Sequence, residues 1–352
     1  MIGIVGGGLA AAKVVEGYRE AGGTDRITIW SQDPHGPYHR PPLSKRLLRG
    51  EAEPPDALVH PAEWYPEQDV ELRTGVQLAS LDEVGAETVV IATGARPRLL
   101  DGTLELRTLD DSLELRRRAE DAKTAVVIGG GFIGCEVRAS LTQLGVQVTQ
   151  VVREPLVFAL LQAPPMSEAL HARFREHGVD LRLGATEIPE GSDLRVAGIG
   201  VQPNVELAQA AGLEVRNGVV VNERFETSKP GVYAIGDVAE FFDPVFGRHR
   251  RIEHWSNAAY HGTTLGKILA GEDARYDVVS AFFSEQFGRM FRSFGDPLGH
   301  DETTLEGDFA DERAVFRFLR AGRTIGAVTT GLDEDDENAL KEEIRAGAAT
   351  TA

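Results

Sequence analysis

Two glycine fingerprints limit what this chain can fold into. Gly6-Gly7-Gly8-Leu9-Ala10-Ala11 follows the apolar run Ile2 to Val5, and Gly129-Gly130-Gly131-Phe132-Ile133-Gly134 follows Ala125 to Ile128. A G-x-G-x-x-G/A element between a strand and a helix opens a dinucleotide-binding βαβ unit. Its first glycine (Gly6, Gly129) makes the tight turn, its second (Gly8, Gly131) lets the backbone approach a pyrophosphate, and its last small residue (Ala11, Gly134) keeps the helix close to the sheet. The helix N-terminus faces the phosphate charge. Two such units in one chain predict two dinucleotides, a flavin and a nicotinamide.

The surrounding pattern supports both units. Residues 2–5 read as a buried strand, Leu9 to Ala21 as a helix and Ile27 to Trp30 as the next strand. Pro37 to Lys45 is a proline-broken loop before a short helix at Leu43 to Leu48. Thr88 to Gly94 is a β-branched run ending in a turn, as expected of a buried parallel strand. Arg107 to Ala122 reads as helical. The second unit continues with a helix from Phe132 to Leu144, a strand from Val146 to Val152, and a closing run Val196 to Gly200. Strand character returns at Val219 to Val221 and Val232 to Ile235. The pattern changes near Ala281, with strands at Ala314 to Leu319 and Thr324 to Val328 joined by a hairpin turn. An acidic segment, Asp333 to Glu337, leads into a last helix, and Ala346 to Ala352 reads as a frayed tail.

At 352 residues the chain exceeds one hydrophobic core, so two or three domains are expected. A net charge of −18 argues against nucleic-acid binding, which needs a basic surface. The single cysteine, Cys135, excludes an internal disulfide and any iron–sulfur or multi-thiolate metal centre supplied by this chain alone. Electrons must therefore leave a flavin directly, without a cysteine pair. Met1 to Val5 enters the first strand with no signal-peptide pattern, and no run is apolar enough to span a membrane, so a cytoplasmic protein is expected.

Further segments carry a specific resemblance. Pro37-Tyr38-His39-Arg40-Pro41-Pro42-Leu43-Ser44-Lys45 is similar to the P-Y-x-R-P-P-L-S-K segment of the FAD-dependent ferredoxin and rubredoxin reductase family, which lies in the pyridine nucleotide-disulfide oxidoreductase superfamily but lacks the redox disulfide. Ala92-Thr93-Gly94-Ala95-Arg96-Pro97 resembles that family's A-T-G-x-x-P turn, and Gly198-Ile199-Gly200-Val201-Gln202-Pro203-Asn204 its G-x-G-x-x-P-N element. Tyr233 to Asp237 resembles its second FAD signature, and Ile252 to Ala258 its E-x-W-x-N-A element. The matches run in order along nearly the whole chain.

The resemblance implies an α/β fold with two Rossmann-like domains, arranged as in glutathione reductase, and a small α+β C-terminal domain. The expected bounds are 1–106 with 213–275 for FAD, 107–212 for NAD(P)H and 276–352 for the C-terminal domain. It also implies that Ala10, Arg40, Lys45, Leu78, Arg107, Asp237 and Trp255 contact FAD, alongside Ala92, Thr93, Gly94 and Gly236. Lys45 and Glu136 would lie near flavin N5, stabilising charge on the reduced ring. Read alone, Glu136 is a helix-surface acid and Asp237 a helix cap. Asp33, just past the second strand, is placed either to bind ribose hydroxyls or to sit as a solvated loop acid.

Phe132, Ile133, Gly198, Ile199 and Gly200 complete the expected nicotinamide site. The position after its second strand is Val152, followed by Arg153, where a guanidinium suits a 2′-phosphate. NADH and NADPH both remain open, with a lean to NADPH; a solvated Arg153 offset by Glu154 is the alternative. Between Val76 and Glu87, and between Leu183 and Val196, the chain is shorter than the family pattern, which carries a β-meander in each place. The family's W-F-W-S-D-Q stretch is here Ala281-Phe282-Phe283-Ser284-Glu285-Gln286, so Phe283 replaces an aromatic that lies near the flavin.

The implied function is transfer of hydride from NAD(P)H to FAD, and of single electrons from there to a 2Fe-2S ferredoxin or similar small carrier. Alternatives are an NAD(P)H oxidase or quinone-type reductase, and a redox-controlled interaction protein like apoptosis-inducing factor. Arg248, Arg250 and Arg251, or Arg289 and Arg292, are candidate basic docking positions for an acidic carrier. No metal, nucleic acid or membrane is expected as a ligand; a homodimer is left open.

Overall fold

The computed structural model describes residues 1–349. Residues 1–40, 54–96 and 201–278 make one compact unit. Its central sheet runs in the order Val232–Ala234, Thr88–Ile91, Ile2–Val5, Ile27–Trp30, Val70–Arg73, with every pairing parallel. The stiff β-branched residues favour extended backbone. Ile2–Val5 and Ile27–Trp30 are buried along their whole length, which is why they read as unbroken apolar runs rather than alternating ones.

This strand order contains a switch point. The first three strands build outward from Ile2–Val5, whereas Thr88–Ile91 returns to its other side. A crevice forms beyond the carboxyl ends of the strands at such a reversal. Val5 pairs with Ile91 there, so Gly6 and Ala92 emerge side by side. Helix Leu9–Glu20 follows, and helix Trp255–Leu269 packs closely upon it. A Cβ at Gly262 would stand 2.4 Å from Ala10 O, and one at Gly17 2.4 Å from Thr263 O. Only glycine permits that separation.

The second unit comprises, among the described residues, 41–53, 97–200 and 279–349. Its parallel sheet runs Asp180–Leu183, Gln147–Val152, Thr124–Ile128, Leu194–Ala197, which reproduces the same switch around Thr124–Ile128. An antiparallel sheet in the order Ala281–Gln286, Arg289–Gly295, Arg323–Thr330, Ala314–Arg320, Glu302–Gly307 follows. Helix Glu334–Ala349 packs on it, with Glu334, Asp335, Asp336 and Glu337 in the first turn, where the helix dipole favours acids.

Several expectations are corrected. The helix expected at Leu43 to Leu48 is a 3₁₀ turn, Pro41–Ser44, continued by hydrogen-bonded turns to Gly50. The Arg107 to Ala122 segment is helical only over Leu109–Ala119, because Thr108 and Asp111 form a reciprocal capping box at its start. Helix Pro164–Glu176 and hairpin strands Ala281–Gln286 and Arg289–Gly295 were not anticipated. The supposed frayed tail is helical to Ala349, since Gly347 and Ala348 are buried; its last three residues, 350–352, lie outside the described residues.

Candidate active site

The two fingerprints share one local design. Gly6 and Gly129 have φ of +116° and +110°, and a Cβ on either would stand 2.2 Å from Ala92 O or 2.3 Å from Gly198 O. Left-handed backbone and close approach together demand glycine. Gly8 and Gly131 are N-cap residues with no side-chain cap, and a Cβ there would meet nothing within 4 Å. Each helix thus begins with uncapped N–H groups above open space, the form of a phosphate cradle. Ala10 and Ala11 are buried in the first helix, and a Cβ at Gly134 would strike Gly129 O at 2.4 Å in the second. The residues present therefore fit a dinucleotide at both places.

In the first unit, the turn Ala92-Thr93-Gly94 is locked to Asn204. Thr93 Oγ1 donates to Asn204 O at 2.7 Å, Asn204 Nδ2 donates to Thr93 O at 2.8 Å, and Asn204 N–H reaches Gly94 O at 3.0 Å. Gly236 opens the 3₁₀ turn that carries Asp237, and its N–H donates to Nδ1 of the fully buried His261 at 3.1 Å. Burial pushes the His261 pKa down to about 3. Sequence reasoning missed His261, because nothing in its local pattern separates it from other helix residues. The Asp237 carbonyl accepts from Arg251.

Trp255, partly exposed at the start of its helix, donates Nε1–H to His39 Nδ1 at 2.9 Å. The Arg40 guanidinium lies 5.3 Å from the Tyr38 ring centre, and Leu78 sits in the core of this unit. Asp33 is drawn into its own loop. Its two carboxylate oxygens accept from the His35 N–H at 3.0 Å and the Tyr38 hydroxyl at 2.7 Å. That arrangement favours the loop-acid alternative over ribose binding.

Lys45, Arg107 and Glu136 belong to the second unit. Arg107 directly precedes the capped helix, and its N–H donates to Asp111 Oδ2 at 2.9 Å. Lys45 Nζ is 2.6 Å from Glu136 Oε2, which also accepts from the Ser44 hydroxyl at 2.5 Å. Glu136 Oε1 accepts from the Ser284 hydroxyl at 2.8 Å. The reading of Glu136 as a surface acid is thereby corrected: its carboxylate is 5% exposed, because strand Ala281–Gln286 and the turn Pro41–Ser44 cover the helix face that carries it.

At the second fingerprint, Ile133 and Ile199 stand exposed, while Phe132 meets the rings of Phe158 and Phe282 edge-on at 5.1 and 5.3 Å. Gly198 N–H donates to Ile128 O, and Gly200 O accepts from Arg98 N–H. Phe283 lies partly buried opposite Arg292. Arg153 extends into solvent and ion-pairs with Glu154 at 2.9 Å.

The candidate docking arginines are also engaged. Arg250 pairs with Asp243, Arg251 with Glu253 and Arg292 with Glu337, while Arg289 donates to Thr330 Oγ1 and Ala310 O. Cys135 is fully buried, and burial pushes its thiol pKa up. Among the described residues no cluster of three or more His, Cys, Asp or Glu side chains could hold a metal, and no helix is long and apolar enough to cross a membrane.

Two dinucleotide cradles on parallel sheets define an oxidoreductase of the two-nucleotide class. Residues 2–262 match the pyridine nucleotide-disulphide oxidoreductase family, and the chain belongs to it. It is 32% identical to putidaredoxin reductase of Pseudomonas putida over 93% of this chain and 87% of that protein. It is likewise 32% identical to the ferredoxin–NAD(+) reductase component of a p-cumate 2,3-dioxygenase system of Pseudomonas putida, over 94% and 90%. Its fold matches the reductase in a covalent putidaredoxin reductase–putidaredoxin complex with a TM-score of 0.92 and 32% identity, covering 98% of this chain and 93% of that one. The family and the names of these relatives imply FAD and NAD(H); they lend no support to the NADPH lean.

Proposed function

We propose that this chain is an FAD-dependent NADH:ferredoxin reductase, passing electrons to a small iron–sulfur carrier. FAD would occupy the cradle at Gly6 to Ala11, within a domain of residues 1–106 and 213–275, with Arg40, Arg107, Asp237 and Trp255 as further contacts. The nicotinamide dinucleotide would occupy the cradle at Gly129 to Gly134, within residues 107–212, and residues 276–352 would form the C-terminal domain. Bound FAD supplies the chemistry, since a flavin accepts hydride and releases electrons one at a time.

The observation that carries this reading is the buried Lys45–Glu136 pair, in a chain with two open cradles and one inert cysteine. An ammonium fixed by a buried carboxylate is preorganised to stabilise negative charge on a reduced ring without reorganising at the moment of transfer. The chain has no second cysteine to take electrons onward as a disulfide. The named activities of the relatives support an iron–sulfur acceptor. NADH is preferred over NADPH in this reading because the Arg153 guanidinium is engaged by Glu154, which leaves a carboxylate near the ribose end of the site.

Anaerobic stopped-flow mixing of the purified yellow protein with NADH and NADPH, then with a 2Fe-2S ferredoxin or a quinone, tests the proposal. Fast reduction by NADH and fast reoxidation by ferredoxin are expected. Slow reduction with a stable charge-transfer band and a nucleotide-dependent change in mass would replace it with a redox-controlled interaction protein.

A further inference from the structure

A guanidinium is buried behind the Lys45–Glu136 pair. Arg138 is fully buried, and among the described residues no carboxylate forms an ion pair with it. Its Nε and Nη1 have no hydrogen-bond partner at normal geometry, and the polar group beside the guanidinium is the buried Cys135 thiol. The guanidinium carbon lies 3.4 Å from the Phe174 ring centre and 4.9 Å from that of Phe287. Burial lowers its pKa to about 10. A buried charge of this kind is costly, and an apolar side chain of similar length would serve packing alone better.

The remaining nitrogen leads back to Glu136. Arg138 Nη2 donates to Gln286 Oε1 at 2.9 Å, Gln286 Nε2 donates to Ser284 Oγ at 3.0 Å, and Ser284 Oγ donates to Glu136 Oε1 at 2.8 Å. All four side chains are buried. Every donor points the same way, from the cation to the carboxylate, and such aligned bonds polarise one another in a low-dielectric interior.

The far end of the chain is held under strain. Phe287, at the tip of the hairpin, has φ of +51°, a conformation bulky residues rarely adopt. It is kept there by stacking on His177, with ring centres 3.8 Å apart, and by Arg173 donating to its carbonyl at 2.8 Å. Strain that is over-determined in this way clusters at functional sites.

We propose that Arg138, acting through Gln286 and Ser284, is a positioning residue that sets the charge balance of the Lys45–Glu136 pair, and with it the potential at which a flavin beside that pair accepts hydride. This rests on the reading of Lys45 and Glu136 as the pair beside the flavin. With Oε1 of Glu136 fixed by Ser284, Oε2 is left to Ser44 and Lys45, and the ammonium is held at one point. Removing the buried positive charge, or cutting the chain that transmits it, disfavours the reduced flavin and lowers its potential.

The test is the two-electron midpoint potential of the FAD-loaded protein, measured by dye equilibration across a series of variants. Arg138→Met keeps an unbranched apolar stem and removes the guanidinium, and should change the ratio of reduced to oxidised flavin at least tenfold, a fall of about 30 mV for a two-electron couple. Gln286→Leu should lower the potential in the same direction, and its effect should vanish in a Glu136→Gln background. If Arg138→Met does not retain FAD, Ser284→Ala, which deletes one oxygen, decides the matter by the same readout. Shifts with Lys45→Met and Glu136→Gln but none with the Arg138, Gln286 or Ser284 variants would overturn the proposal and leave the pair's role standing. A loss of thermal stability in those variants at constant potential would also overturn it, because that is the mark of a purely structural tie. No shift in any variant, the Lys45 and Glu136 ones included, would overturn the pair's role and the proposal together.

Discussion

Lys45 Nζ stands 2.6 Å from Glu136 Oε2, and neither side chain is more than 14% exposed. Breaking a buried pair from one side leaves the other charge uncompensated, at a cost of roughly 3–5 kcal/mol. Lys45→Met should therefore destabilise the protein by about 3 kcal/mol in urea unfolding carried out with and without added FAD, as well as slowing flavin reduction. The double variant Lys45→Met with Glu136→Leu should recover most of the stability but none of the rate. Wild-type stability in the single variant would show that the pair carries no such energy.

The glycines separate folding from binding. At Gly8 and Gly131 a new Cβ meets only open space, so Gly8→Ala and Gly131→Ala should leave the nucleotide-free melting point nearly unchanged. Gly131→Ala should weaken NADH binding at least ~10-fold, and Gly8→Ala should do the same to FAD. At Gly129 the left-handed φ and the contact with Gly198 O make an alanine strained, so Gly129→Ala should lose about 1–3 kcal/mol of stability even without nucleotide. Isothermal titration and thermal melts on the same three proteins would decide it; equal melting losses for Gly131→Ala and Gly129→Ala would contradict the cradle.

The cradles were legible from sequence because a strand–turn–helix with left-handed glycine is a local requirement, written in consecutive residues. The Lys45–Glu136 contact was not, since it joins a proline-led turn to a helix more than one domain motif away, and local pattern cannot show what covers a helix face. Glu136 looked solvent-facing only because strand Ala281–Gln286, which buries it, carries no strong alternation. Gly347 and Ala348 looked like a disordered tail for a related reason. Their small size is what lets the last helix close on Thr324, where a Cβ at Gly347 would lie 2.0 Å from the carbonyl oxygen.

Acid should loosen the first unit through His261. Its folded pKa is pushed down to about 3 from 6.5, so between those values the unfolded chain binds a proton that the folded one does not. Stability is then fully present above pH 6.5 and falls as pH drops, by up to about 1.4 kcal/mol per pH unit for one proton. Between pH 7 and pH 5 this group should cost about 2 kcal/mol. His261→Gln retains an acceptor for the Gly236 N–H but does not titrate, so its urea stability should vary less over that range. An unchanged pH slope would assign the acid sensitivity elsewhere, for example to His171, whose pKa is also lowered by burial.

In the proposed function, cofactor preference turns on Arg153 and Glu154. The exposed guanidinium is tied to its neighbour's carboxylate at 2.9 Å, and that hydrogen bond holds the Glu154 carboxyl below the usual carboxylate range. An anionic side chain just past the second strand suits a free ribose hydroxyl and repels a 2′-phosphate. Glu154→Gln should remove the repulsion and release Arg153, raising the rate of flavin reduction by NADPH relative to NADH by about tenfold, the equivalent of one charge-assisted hydrogen bond. Adding Arg153→Ala to that variant should cancel the gain, since no cation would remain at this position to receive the phosphate. Arg153→Ala alone should change the NADH rate little. Stopped-flow reduction under anaerobic conditions reads all four proteins directly, and a ratio that stays constant across them would place nucleotide selection outside this pair.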